Sequence, residues 1–127
     1  SEIIALERLS DCITVEQFGR ACFIDREPEE EDIRLARAGL KKVREVLTRG
    51  AYQVVILDEA TIANHYDLFS VDELLELIES KPEETELVIT GRYANQRLLD
   101  IADLVTEMRE IRHYYTKGIL ARKGIDR

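Results

Sequence analysis

Basic residues are in deficit in this sequence: 18 Lys and Arg stand against 26 Asp and Glu, for a net charge of −8. Binding to a phosphate backbone needs a basic footprint, so a nucleic-acid partner is not expected. No apolar run approaches the roughly 20 residues of a membrane-spanning helix, and no secretory leader is apparent near Ser1. Cysteine is scarce as well. Cys12 and Cys22 form no paired pattern of the kind a disulfide framework shows. With His65 and His113 they fall in no C-x-x-C or H-x-x-x-H spacing, so structural or surface roles are expected rather than zinc binding. These absences describe a reduced, cytoplasmic protein that meets neither membrane nor nucleic acid.

What is present fits one domain. A length of 127 residues, 45% of them hydrophobic, is enough for one core, so residues 1–127 are read as a single domain. SEIIALERL opens as a short amphipathic stretch. CITVEQF, 12–18, is rich in β-branched residues and reads as a strand, followed by a loop. Residues 28–49 give the strongest helix signal: Ile33, Ala36, Leu40, Val43 and Leu47 share one face. Pro28 suits the first helical position, acids 29–32 complement the helix dipole, and Gly50 stops the helix. YQVVILD, 52–58, does not alternate, which predicts a central strand buried on both faces. SVDELLELIESK, 70–81, is a helix with a Ser70/Glu73 capping box and a buried face of Val71, Leu74, Leu75 and Ile78. ELVITGR, 86–92, is another apolar strand, NQRLLDIA a short helix, and DLVTEMREI, 103–111, a third interior strand. His113, beside it, is expected to be a hydrogen-bonded core or rim residue. Strands alternating with helices define an α/β class.

In open α/β sheets the ligand crevice lies at the carboxyl ends of the strands. Asp58 and Glu59 end one apolar strand; Thr90, Gly91 and Arg92 end another. If those strands are neighbours, two carboxylates and a guanidinium converge. Carboxylate oxygens suit Mg²⁺, which normally keeps water or substrate phosphates as its other ligands. Arginine offers a planar fork to phosphate oxygens. A strand that runs into Asp-Glu has the form of a Walker B element. It is also the form of a strand followed by a helix, with Asp58 or Glu59 as the N-cap.

YQVVILDEA, ELVITGRYA, ADLVTEMREIRH and KGILARKGID, in that order, with DIRLARAGLKKVREVL upstream, resemble the ATP:corrinoid adenosyltransferase family. The resemblance implies a three-layer, mostly parallel, P-loop NTPase-like (RecA-like) fold. It implies transfer of the 5′-deoxyadenosyl group of ATP to Co(I) of a corrinoid with release of triphosphate, and also Mg²⁺ and a homodimer. By resemblance, Asp58 and Glu59 hold Mg²⁺ on the triphosphate, and Thr90, Gly91 and Arg92 contact phosphate. Phe18, Cys22, Phe23 and Ile24 fall in the segment that covers the corrinoid and displaces its lower axial ligand.

One family element is missing from these residues. No G-x-x-x-x-G-K-[ST] motif is present: Gly19, Gly39 and Gly50 lack the partners, and Lys117-Gly118 and Lys123-Gly124 have the wrong spacing. The family pattern would place a strand, a helix and a second strand ahead of Ser1. The expectation is therefore the retained part of an adenosyltransferase, itself a weak ATP binder. The alternative is a non-catalytic relative that binds a corrinoid or a partner subunit. A sheet without its first strands would expose an edge or an apolar face, so an oligomer is expected.

Overall fold

The computed structural model describes residues 2–20 and 27–122. Among them the elements are α1 (Glu2–Glu7), α2 (Glu30–Arg49), β1 (Val54–Leu57), α3 (Ala60–His65), α4 (Val71–Glu79), β2 (Glu86–Ile89), α5 (Gln96–Ile101) and a 3-10 helix, Tyr114–Lys117. The chain divides into two compact units, residues 17–103 and residues 1–16 with 104–127.

The larger unit holds the core. Helix α2 starts at a reciprocal cap, in which the Glu29 side chain accepts from the backbone of Asp32 and the Asp32 carboxylate accepts from the Glu29 N–H at 2.9 Å. That cap puts Pro28 just outside the N-cap, not at the first helical position. Asp32 is buried and would be costly there unpaired. Arg20 supplies the partner: its Nε and Nη2 reach the two Asp32 oxygens at 2.7 and 2.6 Å, and its Nη1 reaches Glu29 at 2.8 Å. This two-pronged geometry is the strong form of an ion pair, and it ties the segment before the helix to the first turn. At the other end, Gly50 takes φ 59° and its N–H bonds Leu47 O, a left-handed cap that glycine adopts without penalty.

Helix α4 begins as its sequence predicts. Ser70 Oγ accepts from Glu73 N at 3.1 Å, and Glu73 accepts from Ser70 N at 2.7 Å. Its deepest residues are Leu74 and Leu77, which join Leu47, Leu57, Leu68, Phe69 and Leu98 in one cluster. Leu77 lies outside the predicted set because Val71, Leu75 and Ile78 flank the contact instead of centring it. Ile33, Ala36, Leu40 and Val43 of α2 pack against the same cluster. Exposed ion pairs, Arg37–Glu73 at 3.7 Å and Arg97–Asp72 at 2.8 Å, add little at such positions.

Strands β1 and β2 pair in parallel, which requires a crossover; α3 and α4 provide it. Successive side chains point to opposite faces. Val55, Leu57, Leu87 and Ile89 face the core. Val54, Ile56 and Val88 are 51%, 61% and 42% exposed. The expectation of burial on both faces is therefore corrected: among the described residues, helices pack on one face only.

Two predicted strands are not formed. Residues 13–18 and 104–110 carry no regular structure. Both have strand-like composition, but β-propensity expresses packing against neighbours, and the only strand ladder among the described residues is β1–β2. Leu104, Met108 and Ile111 are accordingly exposed.

In the smaller unit, His113 caps the 3-10 helix: its Nδ1 accepts from Tyr115 N at 3.0 Å, and its carbonyl accepts from Thr116 Oγ1 at 2.7 Å. The histidine is thus hydrogen-bonded but exposed.

Leu74→Ala is expected to cost about 2–5 kcal/mol and Ser70→Ala about 1 kcal/mol, both measurable by urea unfolding. The Ser70 N–H, the largest influence, holds the Glu73 carboxyl below its ordinary value. The folded state therefore favours the carboxylate. The resulting stability is present above the unfolded value of about 4.3 and is lost as pH falls through the depressed folded value. The stability gap between wild type and Glu73→Gln should be widest near neutrality and close at low pH.

Candidate functional site

The register runs from Val54↔Glu86 to Leu57↔Ile89, and Thr90 N still bonds Leu57 O at 3.0 Å. The next residues, Asp58 and Thr90, consequently lie side by side at the carboxyl edge. Thr90 uses both capacities of its hydroxyl: it donates to Asp58 Oδ1 at 2.7 Å and accepts from Glu59 N at 2.9 Å. One hydroxyl thus orients a carboxylate and fixes the turn that carries the second acid.

Glu59 occupies that turn at φ 58°, ψ 21°, and stands at the N-cap of α3 without a side-chain capping bond. A left-handed conformation is unfavourable for a residue with a Cβ, and such strain persists only where surrounding contacts impose it. The helix-capping reading of the Asp-Glu pair is therefore only positional. Asp58 is engaged by the neighbouring strand, and the Glu59 side chain points to no capping amide. Both acids are exposed.

Across the edge, Thr61 holds the 90–92 loop. It is buried; its N–H bonds Thr90 O at 3.3 Å, and its hydroxyl donates to Arg92 O at 2.8 Å. Gly91 passes against it at φ 136°, where an added Cβ would stand 2.3 Å from Thr61 Oγ1. Glycine meets both demands, the backbone angle and the space. Arg92 is exposed, and its guanidinium has no ion pair among the described residues. Tyr93 follows, also at positive φ, 58°, and its ring lies 4.5 Å from that of His65 at 31°.

Asp58, Glu59, Thr90, Gly91 and Arg92 are thus brought to one edge, as expected. Phe18 is not with them: its ring packs at Gly39 of α2, Cγ lying 3.0 Å from where a glycine Cβ would be. Cys22, Phe23 and Ile24 lie outside the described residues. Thr61 and the His65–Tyr93 pair escaped the sequence reading. Thr61 looks like an ordinary first-turn helix residue, and no periodicity links His65 to Tyr93. No group of three His, Cys, Asp or Glu side chains able to hold a metal ion occurs among the described residues. The donors fit an oxygen-seeking cation that keeps water or phosphate in most of its positions, as Mg²⁺ does, and do not form a closed cage.

A family model described as ATP:corrinoid adenosyltransferase BtuR/CobO/CobP matches residues 1–126. The chain is 38% identical over 96 residues to a corrinoid adenosyltransferase of a Sinorhizobium species, covering 75% of this chain and 45% of that relative. It is 29% identical over 102 residues to a corrinoid adenosyltransferase of Escherichia coli, covering 80% and 52% of the two chains. Against one from Pseudomonas aeruginosa it is 29% identical over 119 residues, covering 94% and 59%. The chain spans about half the length of the curated relatives it matches.

Gly91→Ala forces a Cβ into Thr61 Oγ1 at an angle unfavourable to alanine, and is expected to cost at least about 1–3 kcal/mol. Gly50→Ala, also left-handed but with open space around it, should cost about 1 kcal/mol. Thermal unfolding of the two variants should rank them in that order.

Proposed function

The chain belongs to the ATP:corrinoid adenosyltransferase family, and from that premise we propose that the full-length protein transfers the 5′-deoxyadenosyl group of ATP to Co(I) of a corrinoid. The Co–C5′ bond forms with the cobalt electron pair, the C5′–O bond breaks, and triphosphate leaves. What carries the reading is the family match over residues 1–126, joined to the paired strand ends that set Asp58 and Glu59 beside Thr90.

Negative charge grows on the triphosphate as C5′–O breaks, so catalysis here is largely a matter of charge stabilisation and positioning. Asp58 and Glu59 are the residues that would hold Mg²⁺, whose chemistry when bound is to offset that charge. Thr90 orients Asp58 for the task. Arg92, exposed at the same edge, serves as a forked donor to phosphate oxygens. Adenosyl transfer to cobalt asks for no general acid at the sugar carbon, and neither histidine is assigned one. By the family resemblance, the segment carrying Phe18, Cys22, Phe23 and Ile24 would cover the corrinoid and displace its lower axial ligand, although the Phe18 ring packs at Gly39 of α2 and not at the edge of Asp58 and Arg92.

On the same reading, β1 and β2 are the inner strands of a three-layer, RecA-like sheet, and residues 1–127 are one partial domain of it. Three features support this: the parallel pair with its helical crossover, the exposed apolar face of Val54, Ile56 and Val88, and relatives of which the matched residues cover only about half. The amides that wrap the phosphates then come from residues outside these 127. A cytoplasmic homodimer is the proposed working form. Among the described residues no helix is long and apolar enough to cross a membrane.

Incubating full-length protein with ATP, Mg²⁺ and chemically reduced cobalamin should produce the adenosylcobalamin absorption spectrum; an unchanged spectrum removes the proposal. Glu59→Gln is expected to lower kcat at least about tenfold with circular dichroism unchanged. Arg92→Ala should raise the KM for ATP. If neither variant alters the rate, the reacting groups lie elsewhere.

A further inference from the structure

Thr61 and His65 are four residues apart on α3 and therefore share one face. Thr61 grips the carbonyl of Arg92 at 2.8 Å, and His65 meets the ring of the next residue, Tyr93, with centroids 4.5 Å apart and planes at 31°. Helical rise separates the two contacts by about 6 Å along α3. A ring pair is thus set next to Arg92 in the chain, with Tyr93 on the arginine's loop and His65 at the end of α3.

Two properties set the pair apart from ordinary packing. Tyr93 is 65% exposed, so the ring does not cover core. It also holds a positive φ, 58°, as only Glu59 and Asp67 do among the other described non-glycine residues. For a bulky side chain this is a true outlier, of the kind retained at binding sites. Of the three strained residues, Glu59 and Tyr93 border the same edge. The Tyr93 side chain is thus left largely exposed immediately after the arginine.

From this geometry we infer that Tyr93, backed by His65, is a stacking platform for the purine base of the nucleotide whose phosphates meet Asp58, Glu59 and Arg92. The inference rests on the nucleotide reading above and extends it to the base. Aromatic faces bind bases by stacking irrespective of hydrogen-bond pattern, so the platform adds affinity for the nucleoside portion and none for the phosphates. Tyr93 directly follows Arg92, so one ligand carrying both a charged chain and a planar ring would meet guanidinium and platform on the same loop.

The test separates the two ends of the ligand in full-length protein. Calorimetry measures the Kd of Mg-ATP and of Mg-tripolyphosphate for wild type, Tyr93→Leu and Tyr93→Phe. NMR follows the ring protons of His65, assigned with His65→Gln, on addition of ATP, adenosine, tripolyphosphate or cobalamin. Tyr93→Leu is expected to weaken Mg-ATP about tenfold and leave tripolyphosphate unchanged, with Tyr93→Phe restoring ATP affinity. His65 should shift with ATP and adenosine but not with tripolyphosphate. Equal losses for both ligands, unchanged ATP affinity in Tyr93→Leu, a silent His65 during tight ATP binding, or a His65 shift with cobalamin and not adenosine would each overturn the platform and leave the phosphate site standing. Failure of wild type to bind either ATP or tripolyphosphate would instead overturn the nucleotide reading, and the platform with it.

Discussion

Because β1 and β2 run parallel from Val54↔Glu86 to Leu57↔Ile89, both strands arrive at one edge of the sheet together. A slip of one residue would exchange the buried and exposed faces of a strand and part Asp58 from Thr90. The register is held by Leu57, Leu87 and Ile89 against a common cluster and by ladder bonds that continue to Thr90 N→Leu57 O. The buried Thr85, whose hydroxyl bonds Tyr52 O at 3.3 Å, secures the opposite end. The geometry of the carboxyl edge is therefore a consequence of the core: apolar packing sets the register, and the register sets the carboxylate beside the hydroxyl.

The junction itself is built from short polar groups with rigid directions. Thr90 and Thr61 are β-branched and restricted at χ1, so their hydroxyls are well placed to fix the turns at Glu59 and Arg92. Gly91 is the complement of Thr61, leaving room for a bond that any Cβ would block. The longer charged side chains, Glu59 and Arg92, remain exposed. This division suits a site in which the backbone is fixed and the charged ends adjust to a ligand. The apolar face of Val54, Ile56 and Val88 marks the opposite condition, a surface that the described residues do not cover.

Much of this was legible in the residues. Apolar runs that stop at Asp58-Glu59 and at Thr90-Gly91-Arg92 located the two strand ends, because buried strands must return charge to the surface. Ser70 with Glu73, and Gly50 after Leu47, marked helix ends through local hydrogen bonding that needs no distant partner. The segments 12–18 and 103–111 were misread for the converse reason. A strand exists only when another strand completes its ladder, and β-branched composition does not supply one. Burial of Asp32 was likewise hidden, since a run of acids before a helix suits the helix dipole whether or not an arginine such as Arg20 arrives.

The sequence by itself determined the α/β class, the C-terminal cap of α2 and the N-terminal cap of α4, the apolar faces that meet in the core, and the residue types at the strand ends. Each of these depends on interactions within a few residues or on periodic hydrophobicity. Tertiary structure alone decided that Thr90 holds Asp58, that Thr61 grips the carbonyl of Arg92, that His65 meets Tyr93, and that among the described residues only one face of the sheet is packed. Those contacts join residues far apart in the chain, so they exist only once strand register and helix packing have brought distant backbones to within hydrogen-bond and ring-contact distance.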